Sequence, residues 1–353
     1  MSETKHLQYF KVENFKCFES FEMDDIGQFN LIVGDNNVGK TSLLEALLFD
    51  ENAAQLVTNL RATYIFKNDI SSELAKSFFF LKDFFFDFNI SISFKFTVNK
   101  NKFEVKIKDQ TALSKEEVEK IQSKNYNLIN LISEYLCIYE DNNIKEIFPI
   151  RYNTSVVKNP PMVPHNIGYS SVLANIYSKE ILEDKEKNRQ LIQSLRIFIN
   201  DIEDIKPSSE YIPKVSTLLV ELKSKSKLVP LSSFGDGTLK LFRVLVKVMS
   251  ASNQRLMIDE IDTGIHYSRF KEFWKTVLQS ARNNNVQLFT TTHNLEGLKY
   301  FKEALDELGE EFQQKSRLFH LAKIKDGSIK AYNYSFDQFS SAIELGNEIR
   351  GRN

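Results

Sequence analysis

The run Gly34-Asp35-Asn36-Asn37-Val38-Gly39-Lys40-Thr41 follows the pattern G-x-x-x-x-G-K-[ST]. It combines two conformationally free glycines with an ammonium and a hydroxyl. Glycines at these positions let successive backbone N–H groups curl around phosphate oxygens. Lys40 is then placed to reach β- and γ-phosphates, and Thr41 to offer an oxygen ligand to Mg2+. Asn36 and Asn37 inside the loop, and Ser42 just after it, join the candidate phosphate contacts. A second group is Leu256-Met257-Ile258-Asp259-Glu260, an apolar run ending in two acids. Asp259 suits the metal, and Glu260, one residue further on, suits activation of an attacking water. A third is Val286 to His293, where an imidazole at the end of an apolar run is placed to approach a terminal phosphate. The fourth, Leu231-Ser232-Ser233-Phe234-Gly235-Asp236-Gly237, is a serine–glycine loop that gains meaning from standing just before the Asp259 run.

These groups need elements that bring them to one place. Asn30 to Val33 reads as a strand that breaks at Gly34 and resumes as an apolar helix over Leu43 to Phe49, so the glycine loop sits between strand and helix. A buried strand over Arg255 to Asp259 delivers its acids to the carboxyl edge of a sheet, where ligands of α/β folds bind. Phe270, Phe273, Trp274, Val277, Leu278 and Ala281 recur at helical spacing, and strands are expected at 286–292, 317–324 and 329–334, with a helix at 294–308 between the first two. The Asp326-Gly327 pair marks a hairpin, and a terminal helix follows it. The expected fold is α/β with a discontinuous nucleotide core, residues 1–50 plus 228–353. Residues 51–227 form an inserted lobe, β-rich over 51–110, mixed over 111–157 and helical over 158–227. Within it, Ile90 to Val98 and Phe103 to Lys108 alternate as a hairpin, and a charged helix is expected over 114–135. The phenylalanine-rich stretch Phe78 to Val98 reads as strand core rather than a nucleic-acid platform.

Composition narrows the classes. Lys and Arg number 46 against 47 Asp and Glu, so the net charge of −1 carries no global nucleic-acid or membrane signal. Cys17 and Cys137 lie far apart without C-x-x-C spacing, which excludes a disulfide framework or zinc finger and fits a reducing compartment. The polar start and the lack of a long apolar run lead to the expectation of a cytoplasmic protein with no membrane partner. His6, His165, His266, His293 and His320 are scattered, and Asn101-Lys102-Phe103-Glu104 lacks the aspartate that a GTPase base-reading motif requires.

Phosphate loop, serine–glycine signature, Asp-Glu strand and strand-terminal histidine, in this order, resemble an ABC-type P-loop ATPase head of the RecF, SMC and OLD branch. Phe10 to Phe18, Ile258 to His266 and Thr290 to Asn294 carry the closer likeness. The resemblance implies ATP and Mg2+ as cofactors, ATP hydrolysis, and a homodimer or higher homo-oligomer with ATP at the interface. By the same resemblance, Ser233 and Gly235 would contact the γ-phosphate held by the opposite subunit, and Asp262 would be the aspartate that communicates across the dimer. Glu260 would be the general base and His293 the switch histidine. Phe234 stands where transporter signatures carry glycine, and no glutamine follows Glu146–Ile150, where Arg151 or Asn153 is the substitute. The branch acts in DNA maintenance and phage defence, so DNA or a separately encoded effector protein is the expected output. A Toprim nuclease domain is not expected after His293. The contrasting reading is an ATP-gated scaffold with little hydrolysis, which has no need of Glu260. A small-molecule kinase or GTPase has no need of Ser233-Phe234-Gly235.

Overall fold

The computed structural model describes residues 6–59, 93–123, 134–149, 160–164, 171–208 and 217–346. Strand β3 (Phe29–Gly34) lies between β14 (Ser316–Lys323) and β13 (Gln287–Thr291), and β12 (Arg255–Ile258) and the short β8 (Met162–Val163) continue the sheet beyond β13. These five strands are parallel, and β15 (Ile329–Ser335) adds an antiparallel edge to β14. Every residue of β3 and β13 is buried, as strands covered on both faces require.

The two faces serve different layers. Phe29, Leu31 and Val33 pack with helices α6 (Asp236–Ser250), α7 (Phe270–Asn283) and α8 (Leu295–Leu308). Ile32, Met257, Phe289 and Phe319 turn the other way, onto α1 (Lys40–Ala46) and a second sheet. That sheet is wholly antiparallel, in the order β2 (Phe18–Met23), β1 (Phe10–Phe15), β4 (Phe94–Val98), β5 (Asn101–Asp109), β6 (Glu134–Glu140) and β7 (Asn143–Pro149). Helix α1 is therefore held between two sheets, with the glycine loop at its start. The described part of helix α2 covers residues 53–59.

The hairpin expected from alternation forms as β4 and β5, turning at Asn99, whose φ of 54° lies in the left-handed region that asparagine tolerates. Phe94 and Phe96 are buried, stacking on Phe49 at 5.3 Å and on Phe103 at 4.8 Å respectively. They are strand core, while the phenylalanines between 78 and 92 lie outside the described residues. The helix expected over 114–135 is shorter: α3 spans Lys115–Ser123, 124–133 are not described, and Tyr135 already belongs to β6. The buried run Tyr135-Leu136-Cys137-Ile138 favours a strand, which the charges upstream masked.

The helical expectation for 158–227 is corrected in part. Helix α4 (Ser171–Ile176) continues into a π turn over Tyr177–Ile181, and α5 (Lys185–Leu195) follows with Leu191, Ile192 and Leu195 buried. The same stretch also carries β8, β9 (Ile202–Ser208) and β10 (Thr217–Leu222), the last two forming a three-stranded sheet with β11 (Val229–Pro230). Short runs such as Leu218-Leu219-Val220 carry no period that separates strand from helix. Residues of α4, α5 and β8 to β10 share one hydrophobic cluster with α6 and the parallel sheet. Helix α9 (Glu310–Gln314) leads into β14, and α10 (Phe336–Glu344) closes the described chain with a capping box at Ser335 and Gln338. No helix among the described residues is long and apolar enough to cross a membrane.

Candidate nucleotide site

The loop from Gly34 to Lys40 leaves the carboxyl end of β3, an inner strand of the parallel sheet. Gly34 has a φ of +149°, and a Cβ there would meet the Leu321 carbonyl oxygen of β14 at 2.5 Å, so only glycine fits. Gly39 caps α1 at a φ of +95°, with its missing Cβ facing Cys17 Sγ at 2.7 Å. Asn37 also takes a left-handed φ, 62°. Lys40 Nζ donates to the carbonyls of Gly34 and Asp35, both at 2.8 Å, and so spans the loop that precedes it. Burial lowers its pKa, while Asp259, Glu260 and Asp35 oppose that shift. The turn between β1 and β2 buttresses the loop from outside: the Cys17 thiol hydrogen-bonds with Ser42, and Lys16 pairs with the buried Glu45 of α1.

Strand β12 ends beside this loop. Asp259 accepts from Thr41 Oγ1 at 3.0 Å and from Thr291 Oγ1, at the end of β13, at 2.7 Å. Glu260 adopts a φ of 43°, which in a residue with a Cβ costs about 1–2 kcal/mol. Three bonds hold it there: its N–H donates to Thr291 Oγ1 at 2.8 Å, and its carbonyl accepts from Lys240 Nζ of α6 at 3.0 Å and from the Thr263 N–H at 3.1 Å. Its carboxylate is one-third exposed, accepts from Thr263 Oγ1 at 3.2 Å, and lies 3.8 Å from His293 Nδ1. Lys40, Thr41, Asp259, Glu260 and His293 are thus gathered at the carboxyl edge of adjacent strands, where open α/β sheets bind ligands.

Other expected residues are placed differently. Ser233, in the 3-10 turn Leu231–Phe234, and Gly235 lie exposed at the head of α6, where Gly235 has a φ of +83° and open space where a Cβ would stand. Asp262 is buried and turned into its own chain, with Oδ2 accepting from Thr292 Oγ1 at 2.9 Å and Oδ1 unpartnered. Burial raises its pKa. Gly297 makes room for this contact, since a Cβ there would crowd both Asp262 and Thr292 at 3.1 Å. Arg151 and Asn153 lie outside the described residues. Acids of α8 and α9 are tied to cations: Glu307 to Lys271 and Lys275, Glu311 to Arg282 and Lys315, Asp306 to Lys302.

Sequence reasoning missed Thr291, Thr292, Thr263 and Lys240. The three threonines before His293 carried a signal, because hydroxyls at a strand end beside an acidic strand are ready hydrogen-bond donors. Lys240 was detectable as a lysine on the apolar side of an otherwise well-patterned helix.

The donor set suits Mg2+, which takes oxygen ligands and leaves several positions to water and phosphate. Thr41 Oγ1 and the Asp259 carboxylate supply adjacent protein oxygens. No group of three or more His, Cys, Asp or Glu among the described residues is arranged to hold a metal without such help.

Residues 29–298 match the family model described as "AAA domain, putative AbiEii toxin, Type IV TA system". The chain belongs to this AAA-domain family. The matched span begins at β3 and ends in α8, and so contains all four chemical segments. A Helicobacter pylori protein described as an ATP/GTP phosphatase is 26% identical over 89% of this chain and 92% of its own length. An uncharacterized protein of Methanocaldococcus jannaschii is 28% identical over 33% of this chain and 99% of its own. Among solved structures, an SMC head bound to the C-terminal winged-helix domain of ScpA superposes with a TM-score of 0.50 at 11% identity, covering 95% of this chain and 100% of that one. That likeness is one of fold.

Proposed function

We propose that this AAA-family ATPase is a Mg-ATP-driven switch that closes as a homodimer, or a higher homo-oligomer, around ATP. One observation carries the reading: Glu260 stands beside Asp259, Thr41 and Lys40, with a part-exposed carboxylate next to His293. The Gly34–Lys40 loop cradles the phosphates, and Lys40 neutralises their terminal charge. Thr41 and Asp259 hold Mg2+, which when bound offsets charge on the phosphate oxygens. Glu260 takes a proton from the attacking water, and His293 orients toward the terminal phosphate. The Ser233–Gly235 segment is exposed, which supports its use against the nucleotide of a second copy. The H. pylori relative's description as an ATP/GTP phosphatase agrees with nucleoside triphosphate hydrolysis. The family description names a toxin–antitoxin system, which supports coupling to a separately encoded protein. The switch then acts on such an effector, or on DNA, in phage defence or DNA maintenance.

Glu260→Gln tests the reading. The variant is expected to bind ATP with unchanged affinity, to lose turnover by about 10²–10⁴-fold, and to accumulate as an ATP-dependent dimer in light scattering. Turnover at the wild-type rate refutes Glu260 as the base. An ATPase that stays monomeric in the trapped state refutes the dimer.

A further inference from the structure

Lys240 lies in the second turn of α6, on the face turned into the fold, and is 5% exposed. Its Nζ donates to the main-chain carbonyl of Glu260 at 3.0 Å, and no ion pair with it occurs among the described residues. A buried ammonium is a poor choice for stability, because desolvation is costly and one neutral carbonyl compensates it weakly. A methionine would fill the same space without that penalty, so packing does not explain the lysine. What the lysine does is grip the residue that carries the water-activating carboxylate. The amide N–H of Glu260 is fixed to β13 through Thr291, and its carbonyl is fixed to α6 through Lys240. These two bonds, together with the Thr263 N–H that the same carbonyl accepts at 3.1 Å, hold the left-handed turn that presents the side chain.

Helix α6 begins at the exposed loop containing Ser233 and Gly235. Any displacement of that loop reaches the Glu260 carbonyl through little more than one turn of helix and a single hydrogen bond. We propose that Lys240 is a positioning residue that couples the serine–glycine loop to the orientation of the Glu260 carboxylate. This rests on Glu260 being the base.

The charged groups facing Lys240 are Arg243, one turn further along α6, and Asp259, Glu260 and Asp262 on the turn after β12. Burial, aided by Arg243 and opposed by the three acids, pushes the Lys240 ammonium down to about 8. The charge that strengthens its grip is therefore lost within an accessible pH range.

The test compares Lys240→Met, Lys240→Arg and Glu260→Gln in the full chain, measuring ATP affinity, kcat, KM, Tm and the pH profile of kcat. Lys240→Met is expected to keep ATP affinity and KM within about threefold, and to lose about 10²-fold in kcat, the effect of misplacing a reacting group by about 1 Å. Its Tm should be equal to or above that of the wild type. Lys240→Arg, which retains a cationic donor, should recover most of kcat. Wild-type kcat should fall as pH rises through about 8, and that limb should be absent in Lys240→Arg. Wild-type kcat in Lys240→Met overturns the proposal, as does a loss of kcat matched by a loss of Tm. If Glu260→Gln is inactive while Lys240→Met is fully active, only the coupling fails. If Glu260→Gln turns over normally, the base assignment itself fails.

Discussion

Lys247 offers the sharpest test of the packing around α6. It is 9% exposed, and its Nζ donates to the Pro160 carbonyl at 2.9 Å. Burial lowers its ammonium from 10.5 to about 7, with Glu180 opposing the shift and Arg243 adding to it. Because the folded pKa lies below the unfolded one, the unfolded chain keeps a proton between about pH 7 and 10.5 that the folded chain has released. Stability therefore rises with pH through that window and is lost as pH falls through about 7. At 1.36 kcal/mol per unit, and allowing for half-titration at pH 7, the gain between pH 7 and 9 is about 2 kcal/mol. Lys247→Met removes this contribution and one of the two hydrogen bonds to the Pro160 carbonyl, which keeps the Met162 N–H at 2.7 Å, a loss of about 1 kcal/mol. Urea unfolding followed through Trp274, the chain's single tryptophan and 1% exposed, reads both proteins at pH 7, 8 and 9. The wild type should gain about 2 kcal/mol more than the variant across that range. Lys240, which burial also shifts, titrates in both and cancels in the comparison. Parallel pH dependence in the two proteins would refute the assignment of Lys247 as a buried, proton-releasing group.

Two further outcomes follow from the phosphate loop. Lys40→Ala should weaken ATP binding by about a hundredfold or more while leaving the unfolding midpoint unchanged, since among the described residues the ammonium bonds to two loop carbonyls alone; normal affinity by equilibrium binding would remove the loop assignment. Gly34→Ala should destabilise the fold by about 2–4 kcal/mol because the new Cβ meets the Leu321 carbonyl at 2.5 Å in a φ region that penalises side chains, and a urea midpoint equal to wild type would contradict the close approach of β14.

The site was legible where a local pattern and its chemistry coincide. A glycine loop must stand between a strand and a helix to wrap phosphate, and the apolar runs on either side of Gly34-to-Thr41 announced both elements. Asp259 and Glu260 were readable because a buried strand that ends in acids has to bring them out at a sheet edge. The same logic fails once a partner lies far away in sequence. Thr291 meets Asp259 and Glu260 only because β13 runs parallel to β12, a register that depends on pairing of distant segments. Lys240 meets Glu260 only because α6 lies against that same strand end. Strands β8 to β10 escaped for a related reason: runs as short as Met162–Val163 exist as strands only once a neighbour supplies their hydrogen bonds. The contrast between Glu260 and Asp262 shows what sequence order alone misses. Both are acids of one short turn and both invite a functional reading. The left-handed backbone at Glu260 keeps its carboxylate partly exposed beside His293, while Asp262 is turned inward to Thr292, made possible by the missing side chain at Gly297. A rearrangement that brings Asp262 to an interface has to break that hydrogen bond, and because Thr292 directly precedes His293 in the chain, it would disturb the histidine at the same time. The surroundings of Asp262 and of His293 are thus tied together through one contact.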